Sequence, residues 1–317
     1  MKNLNNNWGV PLRVGLYAFT PRACGVTASI PHAREEISIC QMIFLTFIQN
    51  LLSKKHHSQE LILYLSLVLK SQISNFKSQI SQLIVHTFFF PNLSENIITL
   101  DEDESKHAVR VLRLVVGNEV MLVDGKGNCA FATVSEDHPK RCSLEIRERK
   151  KETTDRNYKL HIAIAPTKNL DRLEWFIEKA TEIGIDSIIM IGCDHSERFT
   201  VKLDRMEKVT VSAIKQSQQS WLPEVTGVIS FKEFLKNVPA TAHKFITHCY
   251  ETEKKTLKSE LKPVGDIFIL IGPEGDFSPT EIDLAIEKGF VPVSLGERRL
   301  RTETAALVAV MSVHLSV

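Results

Sequence analysis

Two short stretches near the carboxyl end of this 317-residue chain hold the residues best suited to chemistry. The first, Gly272-Pro273-Glu274-Gly275, follows directly on the apolar run Ile267–Ile271. The second opens with Leu295-Gly296 and runs on through Arg298 and Leu300 to Arg301-Thr302-Glu303-Thr304. Glycine permits close backbone approach and positive φ, and Pro273 removes one donor and stiffens its loop. Such turns present backbone N–H and C=O groups to a ligand at little entropic cost. The ligand is not a P-loop nucleotide, because no Gly-Lys-[Ser/Thr] follows. The dinucleotide fingerprint is absent too: Gly125-x-Gly127 has Ala130 where the third glycine belongs. Glu274 would repel a pyrophosphate and suits a cation or a hydrogen-bond donor. One G-P-x-G turn after a strand is most often only a turn. Two glycine turns at neighbouring strand ends, with Arg-Thr-Glu-Thr at a helix start, argue for a binding site.

The elements that must position these turns alternate in type. Residues 159–166, 186–192, 243–249, 266–272 and 291–295 read as strands, with Pro292 marking an early or irregular position in the last. Residues 169–184 read as a helix: Leu170, Leu173, Ile177 and Ala180 share a face, and Gly184 stops it. Residues 204–221 and 303–316 read as further helices. Another is marked by the capping box Ser278-Pro279-Thr280-Glu281 and ends before Gly289. Apolar strands alternating with helices predict a parallel sheet covered on both faces, with ligands at the strands' carboxyl ends.

The preceding segment, 86–150, has a different texture. Short strands are expected at 86–91, 98–100 and 141–149, with a helix over 101–114 whose first turn is acidic. A hairpin turns at Asp124-Gly125-Lys126-Gly127. This is most simply a small β-barrel. A polar connector, 150–157, leads to the α/β domain, 151–317. Residues 1–85 lack steady periodicity, and their two apolar runs are short for a membrane span. They are read as an extension outside the functional protein, with an organelle transit peptide or a membrane-surface segment as the rival.

Bulk properties exclude several classes. Apolar residues make up 43% and charged residues 24%, as in soluble globular proteins. The net charge of +1 means that any nucleic-acid site must come from local clustering. The six cysteines are scattered without C-x-x-C pairs or zinc spacing. A reducing compartment, the cytoplasm, and no metal are expected.

The G-P-E-G turn, followed by Leu295-Gly296 and Leu300-Arg301-Thr302-Glu303-Thr304-Ala305, resembles the SPOUT class of S-adenosylmethionine-dependent RNA methyltransferases. More narrowly, the chain is similar to the family that methylates N3 of one uridine in 16S ribosomal RNA of the small subunit. The likeness is colinear from His86 to Val317. The stretches 107–114 and 124–127 resemble that family's PUA-like barrel, and 167–185 its first methyltransferase helix. Asp276 stands where a second glycine is common, and Lys215 where many members have glutamate.

The resemblance implies a deep trefoil knot in the C-terminal part of the sheet. It implies a cofactor pocket for S-adenosyl-L-methionine, formed by Ile271, Gly272, Pro273, Glu274, Gly275, Leu295, Gly296, Leu300, Arg301 and Thr302. It also implies a homodimer and a target in 16S rRNA of the small ribosomal subunit. Close relatives begin Met-His where this chain has Val85-His86, so Val85 is the expected initiator.

Uridine N3 carries an imide proton, and a nearby cation favours its loss. Arg301 is the candidate for that role or for gripping phosphate. Glu303 is a candidate base, or else orients Arg301 or serves the first turn of the last helix. The target base must be unpaired or flipped out. Candidate RNA contacts are Lys106, Arg110, Arg113, Lys126, Lys168, Arg172, Arg198 and Arg298, with Arg110 and Arg113 expected on one helical face. Rival readings are a methyltransferase for another RNA, a non-catalytic RNA-binding module, and a nicotinamide dehydrogenase.

Overall fold

A computed structural model describes residues 85–154 and 156–316. The readings made for residues 1–84 lie outside them. Two sheets organise the described chain.

The first sheet holds β1 (His86–Phe89), β2 (Ile97–Thr99), β3 (Glu119–Val123), β4 (Asn128–Glu136) and β5 (Ser143–Lys151), in the order β1-β3-β4-β5-β2. β1 runs parallel to β3, and every other pair is antiparallel. Alternate residues point inward to a core that includes Phe88, Val120, Leu122, Val134 and Leu144. The expected connector is shorter than read, because Lys150 and Lys151 extend β5 against Cys129 and Asn128.

The helix expected over 101–114 is broken. Asp101 caps a short α1 (Glu102–Lys106), its carboxylate accepting from the Glu104 N–H at 2.8 Å. A π-helical turn (His107–Val111) follows, where Leu112 N–H reaches His107 O at 2.9 Å. Ala108 and Leu114 both enter the barrel core, so the chain must reverse, and Arg113 takes φ 57° to do so. Arg110 and Arg113 therefore do not share a helical face.

The second sheet is wholly parallel. Its strands are β6 (Tyr158–Ile164), β7 (Ser187–Gly192), β8 (Glu224–Val225), β10 (His243–Thr247), β11 (Lys255–Thr256), β12 (Gly265–Ile271) and β13 (Val291–Ser294), in the order β11-β13-β10-β12-β6-β7-β8. A short β9 (Ile229–Ser230) also pairs with β7. Period-two alternation divides each central strand between two cores. Ile267, Ile269 and Ile271 of β12 face one side, Phe268 and Leu270 the other. α2 (Leu170–Ile183), α3 (Leu203–Ser217) and α7 (Thr302–His314) cover the first face. α4 (Phe231–Asn237) and α6 (Pro279–Glu287) cover the second, and α5 (Leu257–Glu260) packs beside α7.

Sequence reading missed α4, α5 and the two-residue strands, which are too short to show periodicity. Ser230 and Glu233 did offer a cap signal for α4, and the Ser230 hydroxyl accepts from the Glu233 N–H at 3.2 Å. α3 ends earlier than read, at Ser217, with Gln218 at φ 57°.

That early end serves the junction between the sheets. Ser220 O accepts from Gly127 N–H and Gly125 O from Leu222 N–H, both at 3.0 Å, so the hairpin turn is hydrogen-bonded to the segment after α3. The two hairpin glycines are required by tertiary packing. Gly127 has φ +86°, and a Cβ there would lie 2.3 Å from the Trp221 ring. Ile214 of α3 packs with Met121 and Val123 of β3, and Lys215 pairs with Glu104 at 2.7 Å. Gly127→Ala is expected to cost about 2–4 kcal/mol through overpacking and a left-handed non-glycine residue. Urea unfolding would show it, and the cost should shrink when Trp221→Ala is combined with it.

α7 is anchored at its far end. His314 Nε2–H donates to Gly184 O at 2.9 Å, and Nδ1 accepts from the Tyr158 hydroxyl at 3.0 Å. Burial, then the Arg156 charge, hold the His314 pKa below its ordinary 6.5. The unfolded chain thus binds a proton that the folded one resists. This stabilisation is complete above about pH 6.5 and is lost as pH falls from there toward the depressed folded value. Burial and Lys254 shift His248 in the same direction. Between about pH 7.5 and pH 5.5, His314→Gln should therefore lose less stability than the unsubstituted protein in urea titrations.

Candidate functional site

The loops that leave the carboxyl ends of β6, β7, β10 and β12 are tied together by side chains that accept backbone N–H groups. Glu274, in the turn after β12, accepts from Lys168 N–H at 2.9 Å in the turn after β6. Asp276 accepts from Cys249 N–H at 2.7 Å, beyond β10, and from Phe277 N–H at 2.8 Å. His195, beyond β7, donates from Nδ1 to Asp276 O at 3.0 Å. Glu281 is buried, with one oxygen accepting from Asp194 N–H and the other from Ser278 N–H, at 2.9 and 2.8 Å. The Ser278 hydroxyl donates to Asp194 at 2.6 Å. The capping box that announced α6 thus also binds the β7 loop.

This framework fixes the first glycine turn. A Cβ on Gly272 would lie 3.1 Å from the Phe277 ring, and one on Gly275 would lie 3.0 Å from His195 Cβ. The chain lies flat there because neither glycine carries a side chain. Pro273 is buried, and Asp276 adopts φ 67°. The turn after β13 is built differently. Ser294 Oγ accepts from Gly296 N–H at 3.1 Å, Gly296 has φ +133°, and its missing side chain would meet nothing within 4 Å. Leu295 and Leu300 are half-buried around that space. Gly296 therefore opens onto free space, and because β10 lies between β12 and β13 the two glycine turns leave strands that are not neighbours, contrary to expectation.

Charge is spread unevenly around the start of α7. Arg301 occupies the N-cap position of α7 in extended geometry, exposed, and its guanidinium has no partner among the described residues. Thr302 and Glu303 are buried in the first turn. Glu303 faces Arg172 of α2, with Oε1 3.9 Å from Nε, so the carboxylate has a cationic neighbour other than Arg301. Lys168 pairs with Glu197 at 2.8 Å, and Arg198 donates to Lys168 O at 3.1 Å. These bonds bring Lys168 and Arg198 together beside Glu274. Arg298 is exposed on the β13 turn. Lys106, Arg110, Arg113 and Lys126 lie on the barrel, Lys106 paired with Glu102 at 2.9 Å.

Sequence reading missed Asp276, His195 and Lys254 as parts of this framework. Lys254 Nζ closes the loop after β10 by donating to His248 O at 2.8 Å and Tyr250 O at 2.5 Å. The residue at 276 carried one signal, an aspartate in place of a common glycine. Burial, then Asp276, raise the pKa of Cys249, which keeps its thiol protonated. No metal-binding cluster of His, Cys, Asp or Glu occurs among the described residues, and none of their helices is long and apolar enough to cross a membrane.

Residues 154–314 match the model of an RNA methyltransferase domain, and residues 100–147 that of an RNA methyltransferase PUA domain. The chain belongs to the RNA methyltransferase family. A family relative from Rickettsia conorii, a ribosomal RNA small subunit methyltransferase E, is 31% identical over 231 residues, covering 70% of this chain and 92% of its own. The crystal structure of a probable rRNA-methyltransferase from Porphyromonas gingivalis superposes with a TM-score of 0.69 at 37% identity, over 73% of this chain and 98% of that one. A ribosomal RNA small subunit methyltransferase E from Neisseria gonorrhoeae, solved bound to S-adenosyl methionine, gives 0.67 at 26% identity with the same coverage.

Within this RNA methyltransferase fold, Glu281 is a buried carboxylate that ties two loops together. Glu281→Ala strands the buried Ser278 N–H and the part-buried Asp194 N–H and should cost about 2–4 kcal/mol. Glu281→Gln should cost less, since one amide oxygen still accepts. Thermal unfolding of the two variants beside the unsubstituted protein would measure the difference.

Proposed function

We propose that this chain transfers the methyl group of S-adenosylmethionine to N3 of a uridine in 16S ribosomal RNA of the small ribosomal subunit. The carrying observation is the pair of intact glycine turns in a chain of this family, with Gly296 exposed and opening onto free space and Leu295 and Leu300 half-buried in the same segment. The half-buried leucines suit an apolar ring face, and the close backbone of Ile271–Gly275 suits polar recognition through main-chain groups. Gly296, Leu300, Arg301 and Thr302 complete the set that would hold the cofactor. When bound, its sulfonium supplies an activated methyl group.

The protein's own task is then alignment and proton removal. Arg301, exposed and unpaired, is the cation available to stabilise the uridine anion or grip the target phosphate. Burial of Glu303 beside Arg172, and not beside Arg301, favours a structural role in the first turn of α7 over that of general base or of orienting Arg301. Residues 86–150 would hold RNA and residues 151–317 would carry out transfer. The order β13-β10-β12 in the sheet is compatible with trefoil threading. Exposed Met311 and Leu315 on and after α7 support a homodimer. A small-subunit substrate supports a cytoplasmic location.

Calorimetry with S-adenosylmethionine tests the pocket. Gly296→Val should weaken binding at least tenfold, about 1.4 kcal/mol; because φ at Gly296 is +133° the substitution should also lower the unfolding midpoint, so affinity is compared at a temperature where circular dichroism shows both proteins folded. Equal affinity would overturn the assignment. Mass mapping of 16S RNA from a deletion strain, before and after adding protein, tests the target. A methyl group gained at a position other than uridine N3, or none gained, would refute it.

A further inference from the structure

A cleft of about 470 Å³ opens on the barrel. It lies between the segment after β1, the hairpin turn before β4 and the end of β5. Its lining includes Lys126, Arg149, Lys150 and Lys151 against one carboxylate, Asp124. That carboxylate is already saturated. It accepts from Lys126 N–H, Asn128 N–H and Asn128 Nδ2 at 2.7, 3.0 and 2.6 Å. Arg149 is committed as well, donating to Leu93 O, Glu95 O and Asn96 Oδ1 at 2.8, 2.7 and 3.1 Å. It makes the wall that carries Leu93 rigid. Lys150 pairs with Glu148 at 3.3 Å and lies over the Phe131 ring. The ammonium groups of Lys126 and Lys151 have no carboxylate partner among the described residues.

Trp221 is not part of the cleft's lining but adjoins the hairpin turn that forms one wall: its backbone is bridged to Lys126 and its ring covers Gly127, leaving it 39% exposed. A large aromatic surface left in solvent beside unpaired cations has the composition of a nucleotide-stacking platform. The cleft's volume is that of a site for a small ligand or a nucleotide. Sequence-specific RNA binding addresses unstacked bases, while duplex RNA is read mostly by shape across a wide minor groove.

We propose that this cleft is a subsite for a single-stranded RNA segment, with phosphates neutralised by Lys126 and Lys151 and a base stacked on Trp221. The inference rests on RNA being the substrate and names a place on the barrel where an unpaired stretch is gripped. It adds Lys151 and Trp221 to the RNA-binding residues. It also gives a reason for the tight hairpin turn, which presents Lys126 and seats Trp221 in one stroke.

The test uses full-length protein and a mixed-sequence single-stranded RNA of about twelve nucleotides. Lys126→Ala combined with Lys151→Ala should weaken binding about tenfold or more. It should also flatten the slope of log affinity against log salt by about 1.4, two phosphates at about 0.7 each. S-adenosylmethionine affinity and the unfolding midpoint should be unchanged. A chain with Trp8→Phe and Trp175→Phe, which keeps Trp221 as its one tryptophan, should show fluorescence quenching on adding the RNA. An unchanged affinity and slope, or quenching as strong with blunt duplex RNA as with the single strand, would overturn the subsite. The methyltransferase reading would then still stand. Absence of RNA binding by the unsubstituted protein would overturn both.

Discussion

Backbone N–H groups at the ends of parallel strands must find acceptors once the loops fold over them, and this requirement governs the carboxyl-end face of the molecule. Here the acceptors are carboxylates from neighbouring loops. Glu274, Asp276 and Glu281 reach respectively to the loops after β6, β10 and β7. Each bond joins segments far apart in sequence, so the face is rigid without a disulfide or a metal among the described residues. A ligand held by main-chain groups needs such rigidity, because flexible loops would have to be ordered at the moment of binding.

The same logic explains where side chains are missing. Gly272 and Gly275 are glycines because Phe277 and His195 lie within contact of their backbones. Gly296 is different, since its surroundings are open. Two glycine turns that look alike in sequence thus have opposite local causes: one is closed by protein and the other left free. At the free one a φ of +133°, and not a neighbouring side chain, calls for glycine. The hairpin glycines form a third case, in which side chains fill the space a Cβ would take: Trp221, from the segment after α3, at Gly127, and Leu222 and Phe89 at Gly125. Folding of the barrel turn and its attachment to the α/β unit are consequently one event in packing terms.

Electrostatics divides the cations by what lies beside them. Lys106, Lys168 and Lys215 are occupied by carboxylates of the same chain. Arg172 lies near Glu303. Arg301, at the start of α7, and Lys126 and Lys151, at the barrel cleft, have no ion-pair partner among the described residues, and the same holds for Arg110, Arg113 and Arg298. With a net charge of +1, a polyanion would be attracted by these local deficits of negative charge and not by the whole surface.

By itself the sequence determined the alternation of strands and helices, the parallel sheet, the capping box of α6 and the two glycine turns, because each depends on local periodicity or on residues adjacent in the chain. It also carried the family motif at 272–275 and 300–304. The break of the barrel helix at His107, the early end of α3 at Ser217 and the partners of Glu303 were decided by tertiary structure. Helix propensity continues through Arg113 and Gln218, but Leu114 must enter the barrel core and Ser220–Leu222 must pair with the hairpin turn. Packing and long-range hydrogen bonds override local preference at both points. The roles of Asp276 and His195 were hidden for a related reason: their contacts span 27 and 81 residues, and only closure of the sheet brings those partners within hydrogen-bonding distance.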